Sequence, residues 1–299
     1  MTWIVWVLLA LLTVAAIVAG LAAYGAACWT GKTRRLLARL ESTRLSPTAS
    51  RYNAYEIEHL PAPVARYFRT VLKDGQRIIT AASVEHAGSF NLSATGEKWK
   101  LFTSTQRVIS RRPGFVWNAR IAMAPGVSVY VHDAYVGSEG ILTPAIFGLL
   151  TMAGDIGARD LAEAEFMRFF AEAAWYPTAL LPSQGVVWQA VDTHTASATL
   201  TDGAISATML VNFNQAGLID SVRFDARAAM VGKVVVPMPW EGRWSDYQER
   251  NGMLVPLSGE AAWLHVDGRK PYWRGTITAI TYEFQAGDRR AAGEVAMPS

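Results

Sequence analysis

Met1–Gly31 contains no Asp, Glu, Lys or Arg, and that stretch limits the chain more than any other feature. Within it, Trp3–Cys28 supplies about 26 mostly apolar residues, which at ~1.5 Å per residue exceed a hydrocarbon layer of ~30 Å and leave room for tilt. A single segment in lipid must satisfy its own backbone, so the segment reads as one transmembrane helix. Trp3 and Trp6 near one end, and Tyr24 and Trp29 near the other, place amphipathic rings at headgroup level. The alternative is a cleaved secretory signal, but the segment lacks a basic start and its apolar core is longer than a signal needs. Gly25-Ala26-Ala27-Cys28 superficially resembles a lipoprotein cleavage site without the usual Leu, so lipidation of Cys28 stays open. Ala19, Ala23 and Ala27 form a row of small residues that would let two helices approach, which keeps a homodimer open without other support.

The charge that follows is local. Lys32, Arg34, Arg35, Arg39, Arg44 and Arg51 face Glu41 alone, so this stretch carries +5, and since the whole chain is +3, residues 52–299 carry a net −2. A mildly acidic domain without a basic stripe does not suit phosphate backbones, and nucleic acid is excluded as a partner. The basic flank follows the helix, so the positive-inside rule puts the domain on the cytoplasmic side. The alternative side remains open. The partner expected from residues 3–28 is the lipid bilayer.

Chemistry-bearing motifs are sparse. Cys28 is the single cysteine, and no intramolecular disulfide or cysteine zinc site can form. His59, His86, His132, His194 and His265 lack short ligand spacing, so no metal or cofactor is expected. There is no nucleophile elbow, phosphate loop or dinucleotide fingerprint. His132-Asp133 is an adjacent pair, but neighbours on a strand point to opposite faces and cannot form a dyad. Glu165 and Arg168, three apart on a helix, are expected to pair with each other. No catalytic residue is singled out.

Beyond the anchor, residues 32–55 read as a basic juxtamembrane helix, Thr33–Arg44, followed by a polar linker. Leu60–Phe68 opens a domain, with Pro63 in a first helical turn and Val64, Tyr67, Phe68 and Val71 at helical spacing. From about Arg77 the period changes to two. Phe115, Trp117, Ala119, Ile121 and Met123 share one face; Ile205, Ala207, Met209, Val211 and Phe213 share another; Val222, Phe224 and Ala226 alternate with Arg223, Asp225 and Arg227. Turn signals at Asp202-Gly203, Ala216-Gly217, Asn251-Gly252 and Asp267-Gly268 indicate an antiparallel meander. Asp160–Glu163 resembles a capping box that starts a helix through Phe166, Phe169 and Phe170. Ile141–Gly154 is an uncharged apolar run broken by Pro144, either a buried loop or an apolar flap.

The expected fold class is therefore α+β: an N-terminal transmembrane helix, then a curved antiparallel β-sheet of nine to twelve strands, half-barrel-like, with one or two packed helices. The division is 1–31 anchor, 32–55 juxtamembrane segment and linker, 56–284 β domain and 285–299 disordered tail. Deletion of residues 1–31 is expected to leave a soluble folded domain.

Aromatics carry the functional expectation. Pro239–Tyr247 as a strand puts Trp240 and Trp244 on one face and Glu241, Arg243 and Tyr247 on the other. With Trp117, Trp175 and Trp263, these tryptophans form a candidate lining for an apolar cavity, with Arg243 and Tyr247 as candidate polar contacts. An ordinary sheet core has the same composition. The function read from this is non-covalent binding of a lipid or other apolar ligand; a membrane-tethered scaffold without a cavity and a lipid-modifying enzyme are the alternatives.

Four segments, Leu60–Phe68, Pro113–Trp117, Trp175–Pro182 and Pro239–Tyr247, together resemble a family of bacterial membrane-anchored proteins of unknown function, DUF6544 or DUF6920, over about residues 55–284. The resemblance implies a single-pass protein of the bacterial inner membrane, and it supplies no functional residues. Asp246–Pro256, a strand, turn and strand, is similar to the hairpin of LolA/LolB-type lipoprotein carriers. That likeness implies a half-barrel around an acyl-binding hollow, in proteins that work outside the cytoplasm.

Overall fold

The structure, a computed structural model, describes residues 2–93, 96–152, 157–231 and 234–284. The tail expected at 285–299 lies outside the described residues, as do the last two residues of the Ile141–Gly154 run. Helix α1 spans Thr2–Ser42 and α2 Ala62–Val71. One wing of strands follows: β1 Ile79–Asn91, β2 Trp99–Ile109, β3 Gly114–Ala124, β4 Val127–Val136, β5 Glu139–Ile146 and β6 Leu150–Thr151. Helix α3, Ala158–Ala171, continues into a 3-10 turn at Glu172–Trp175. The second wing is β7 Val187–Ala190, β8 Thr195–Asp202, β9 Ile205–Phe213, β10 Ile219–Val231, β11 Val234–Arg250, β12 Met253–His265 and β13 Gly268–Phe284.

All thirteen strands form one antiparallel sheet in the order β6-β5-β4-β3-β2-β1-β13-β12-β11-β10-β9-β8-β7. Two meanders are thus joined where the last strand returns to pair with the first. The sheet curls without closing, as the handed twist between neighbouring strands requires. Away from that central pairing the two wings approach each other through side chains: the Tyr135 hydroxyl on β4 donates to Asp202 on β8 at 2.7 Å. The alternation read from the sequence is observed, with Phe115, Trp117, Ala119 and Ile121 and the odd-numbered residues of β9 in the main core on the concave face. Helix α2 packs into that core through Val64, Tyr67, Phe68 and Val71, with the Phe68 ring edge-on to Trp188.

Ile141–Ile146 is strand β5, hydrogen bonded to β4, and its turn at 147–149 leads into the short edge strand β6. Helix α3 begins at Ala158 with Gly157 at its N-cap, three residues before the expected Asp160 cap, and Asp160 sits in the first turn. There its carboxylate still complements the helix dipole.

Helix α1 runs unbroken past residue 31, and its second half lies on the convex face. Trp29 is 2% exposed; its ring stacks on His132 at 3.8 Å and its Nε1 donates to Asn118 at 2.8 Å. Thr33 and His132 Nε2 share a hydrogen bond of 2.7 Å. Leu40 is fully buried among Ala81, Ile109, Val116, Ala134 and Val136. Higher up, a side chain at Gly25 would collide with the Phe147 carbonyl and Leu149, so glycine is what lets the helix touch the β5–β6 turn. Burial, assisted by Lys32, lowers the His132 pKa to about 4.

This docking separates two truncations. Removing residues 1–23 keeps Trp29 in place, whereas removing 1–31 deletes a buried indole worth about 3–5 kcal/mol. The shorter deletion is expected to unfold at the higher urea midpoint. His132 is held neutral, so its contribution is full above its ordinary pKa of 6.5 and lost as pH falls toward about 4. The shorter truncation should therefore show the steeper acid loss. Equal midpoints and parallel pH curves would show that the docked half of α1 adds nothing to the domain.

Candidate functional site

The concave face carries a connected aromatic surface. Ring centroids are 5.7 Å apart for Phe102 and Trp117, 5.8 Å for Phe102 and Trp273, 4.9 Å for His86 and Trp175, and 5.0 Å for Trp175 and Trp244. Five of these rings rise from strands of the sheet, while Trp175 descends from the turn after α3. Trp244 and Trp273 lie flat because Gly259 and Gly275 face them; a Cβ at either glycine would enter the indole.

Within this surface several polar atoms are buried without a hydrogen-bond partner among the described residues. They are the indole nitrogens of Trp117, Trp175 and Trp244, His86 Nε2 and Gln106 Oε1. Buried polar atoms are normally paired, and each exception calls for a reason. His86 is held neutral, its pKa lowered to about 3 chiefly by burial and further by Arg168.

Above the aromatics, α3 bridges the wings through buried charges. Arg168 reaches Asp133 on β4 at 2.5 Å and Glu172 at 2.8 Å, and its guanidinium lies 4.9 Å from the ring centres of both Phe115 and Trp117. On the other wing Arg227 of β10 donates to the Ala164 carbonyl at 3.2 Å and approaches Glu165 at 3.7 Å. Its guanidinium sits 5.5 Å from Trp240 and 5.6 Å from Trp263. Gln106 donates to Glu172 at 2.6 Å. Burial first, then the neighbouring Asp133, raises the Glu165 pKa well above its ordinary value. One oxygen of each carboxyl otherwise lacks a partner. A proton held by Glu165 and shared with Asp133 supplies that missing bond.

The five candidate tryptophans therefore share the concave face, in two groups: Trp117, Trp175 and Trp244 around the centre, and Trp240 and Trp263 paired across β11 and β12 around Arg227. Tyr247 joins the concave side as well, packed against the core with its hydroxyl donating to the Ile219 carbonyl at 2.7 Å. Strict alternation puts it opposite; at Asp246 the backbone turns to φ 56°, which resets the phase of the side chains while the β11–β12 register stays unchanged. Arg243 stays on the convex face, bound to Glu241, beside a groove of about 930 Å³ that Glu260 and Arg274 also border. It does not meet the tryptophans' polar edge. Sequence reasoning missed Phe102, His86, Trp273 and Arg227. Arg227 turns inward because a bulge between Phe224 and Arg227 shifts β10. Arg168 and Glu165 were expected to pair with each other, but each instead spans to a different wing.

Among the described residues no three His, Cys, Asp or Glu side chains converge as a metal site. These features define a curved-sheet protein whose aromatic concave face is covered by one helix. The chain matches a family of unknown function, DUF6920, over residues 58–282, and it belongs to that family. Among solved structures it is similar to a LolA superfamily protein from Nitrosomonas europaea, at 10% identity and a TM-score of 0.36, covering 75% of this chain and 94% of that one. A β-barrel-like protein of a domain of unknown function, DUF1849, from Brucella abortus matches at 7% identity and a TM-score of 0.27, covering 69% and 99%. No curated protein matches.

Two substitutions test the bridge. Arg168→Ala strands Asp133 and Glu172 in the interior and should cost about 3–5 kcal/mol. Glu165→Gln replaces a protonated carboxyl by its isostere. A raised folded pKa means that the stability tied to Glu165 is full below the ordinary value of 4.5 and falls as pH rises toward the folded one. Urea midpoints between about pH 5 and 8 should decline in the wild type more than in Glu165→Gln. Identical slopes would place the proton elsewhere.

Proposed function

We propose that this is a membrane-tethered binder of lipid, which takes an acyl chain or a similarly apolar ligand against the concave aromatic face. Residues 1–31 serve as the anchor, 32–55 as the juxtamembrane segment, and 56–284 as the binding domain. The anchor sits in the bacterial inner membrane with the domain on the cytoplasmic side, a placement supported by the basic residues that follow the span.

One observation carries the reading: three buried indole N–H groups without partners among the described residues, set in a largely aromatic surface. Each unpaired buried group costs about 1–3 kcal/mol. A ligand with a long apolar body and a few acceptor oxygens, such as an acyl ester or acid, pairs those donors and covers the rings. Trp117, Trp175 and Trp244 then line the acyl chain's polar end, and Trp240 and Trp263 its continuation. Trp175 and the preceding helix cover this surface, so loading requires α3 to yield. Its charged contacts to both wings give it a defined seat to leave and return to.

Photocrosslinking tests this directly. The full chain, reconstituted in vesicles containing a phospholipid with a diazirine in its acyl chain, is irradiated, digested and mapped by mass spectrometry. Label is expected on concave residues of β1, β2, β3 and β11 as well as on α1. If α1 alone is labelled, the hollow does not take lipid and the proposal is wrong.

A further inference from the structure

Strand alternation places the turns that close β1–β2, β3–β4, β5–β6, β10–β11 and β12–β13 on one side of the strand order; the β8–β9 turn starts on that side as well, but the curl of the sheet carries it to Arg112 and Ser138 of the other wing. At or beside those turns Leu92, Leu150, Met152, Val231, Val234 and Val266 are exposed, by 43%, 68%, 41%, 53%, 62% and 111%. The turns at the opposite end carry Arg111 and Arg112, Ser138, and Arg250 and Asn251, with Val191 in the β7–β8 turn as their exposed aliphatic residue among the described ones. Exposed aliphatic residues scattered singly are ordinary, but their concentration on successive hairpin tips marks an interaction surface.

Helix α1 identifies what covers it. Its docked half runs along β3, with Trp29 bonded to Asn118 in mid-strand and Leu40 against Gly114 at the strand's start. Followed toward its N-terminus, the helix thus travels to the apolar end of the sheet, where Gly25 touches the β5–β6 turn. From there it continues unbroken into the uncharged span. Trp3–Ala23 at ~1.5 Å per residue crosses ~30 Å of hydrocarbon, which puts Gly25, and the turn packed on it, a few ångströms from the hydrocarbon edge.

We infer that the apolar hairpin end of the sheet rests in the headgroup and upper acyl region of the bilayer that α1 crosses, as a second membrane contact. Side chains of this kind bury ~5–10 Å into that boundary. The inference rests on α1 as a span, and it is independent of whether the hollow takes lipid. With the rim seated, the concave face opens beside the acyl layer, and an apolar ligand reaches it without crossing water.

The test uses the full chain with Cys28→Ser and one new cysteine, at Leu150, Val234 or Val266, carrying the fluorophore NBD. Vesicles of phosphatidylethanolamine and phosphatidylglycerol contain a phosphatidylcholine spin-labelled near the top of its acyl chain. Leu45→Cys, remote from the proposed contact, is the aqueous control, and Ala16→Cys with a deeper spin label checks the span. Quenching at the three rim sites is expected to be several-fold that at Leu45. Rim quenching no greater than at Leu45, with Ala16 quenched, would overturn the rim contact while leaving the span intact. An unquenched Ala16 would overturn the span, and the rim contact with it.

Discussion

Pairing of β1 with β13, from Ile79 opposite Phe284 to Phe90 opposite Trp273, is the contact on which the rest of the molecule depends. Either meander alone would leave an apolar face that a few strands cannot enclose. Joined, they make a sheet long enough to curl on itself, and the curl sets one wing's Tyr135 against the other's Asp202. The concave face then needs cover, which α2 supplies at one place and α3, with Trp175, across the middle. Convex cover comes from the lower half of α1, so the membrane segment and the sheet share one packing arrangement.

Buried charges at the bridge call for a separate explanation. Isolated from water, Arg168, Asp133, Glu165, Glu172 and Arg227 gain less from one another than apolar residues of the same size would contribute. What they add is position. Arg168 can satisfy Asp133 and Glu172 only where α3 lies across β4, and Arg227 reaches Ala164 and Glu165 only from the facing wing. Phe166, Phe169 and Phe170 bury the same helix in the main core, so the directional contacts fix the place of a helix that apolar packing holds.

Much of this was legible in the sequence wherever one rule, alternation or helical spacing, holds without interruption. The uncharged first segment, the inward residues of β3 and β9, and the opposite directions of His132 and Asp133 follow from it; in the structure His132 meets Trp29 and Asp133 meets Arg168. Phase failed at the bulge in β10, which brings Arg227 inward against the count, and at the positive φ of Asp246, which does the same for Tyr247 without a register shift. Nothing local announces a positive φ at Asp246, in the middle of β11 and away from any turn signal. The Arg168 and Glu165 partners were hidden because contacts between wings depend on how far the sheet curls, and curl is set by thirteen strands together. Likewise the docking of Trp29 depends on a convex groove that no part of α1 encodes.

Hydrogen exchange across α3 tests the central claim that this helix is the movable cover of a lipid-binding face. The full chain in detergent micelles is compared with and without an added long-chain fatty acid. The account predicts that amides of residues 158–175 lose protection on loading while those of β1 and β13 keep theirs. Unchanged protection in α3, or its loss together with the central strands, would contradict it.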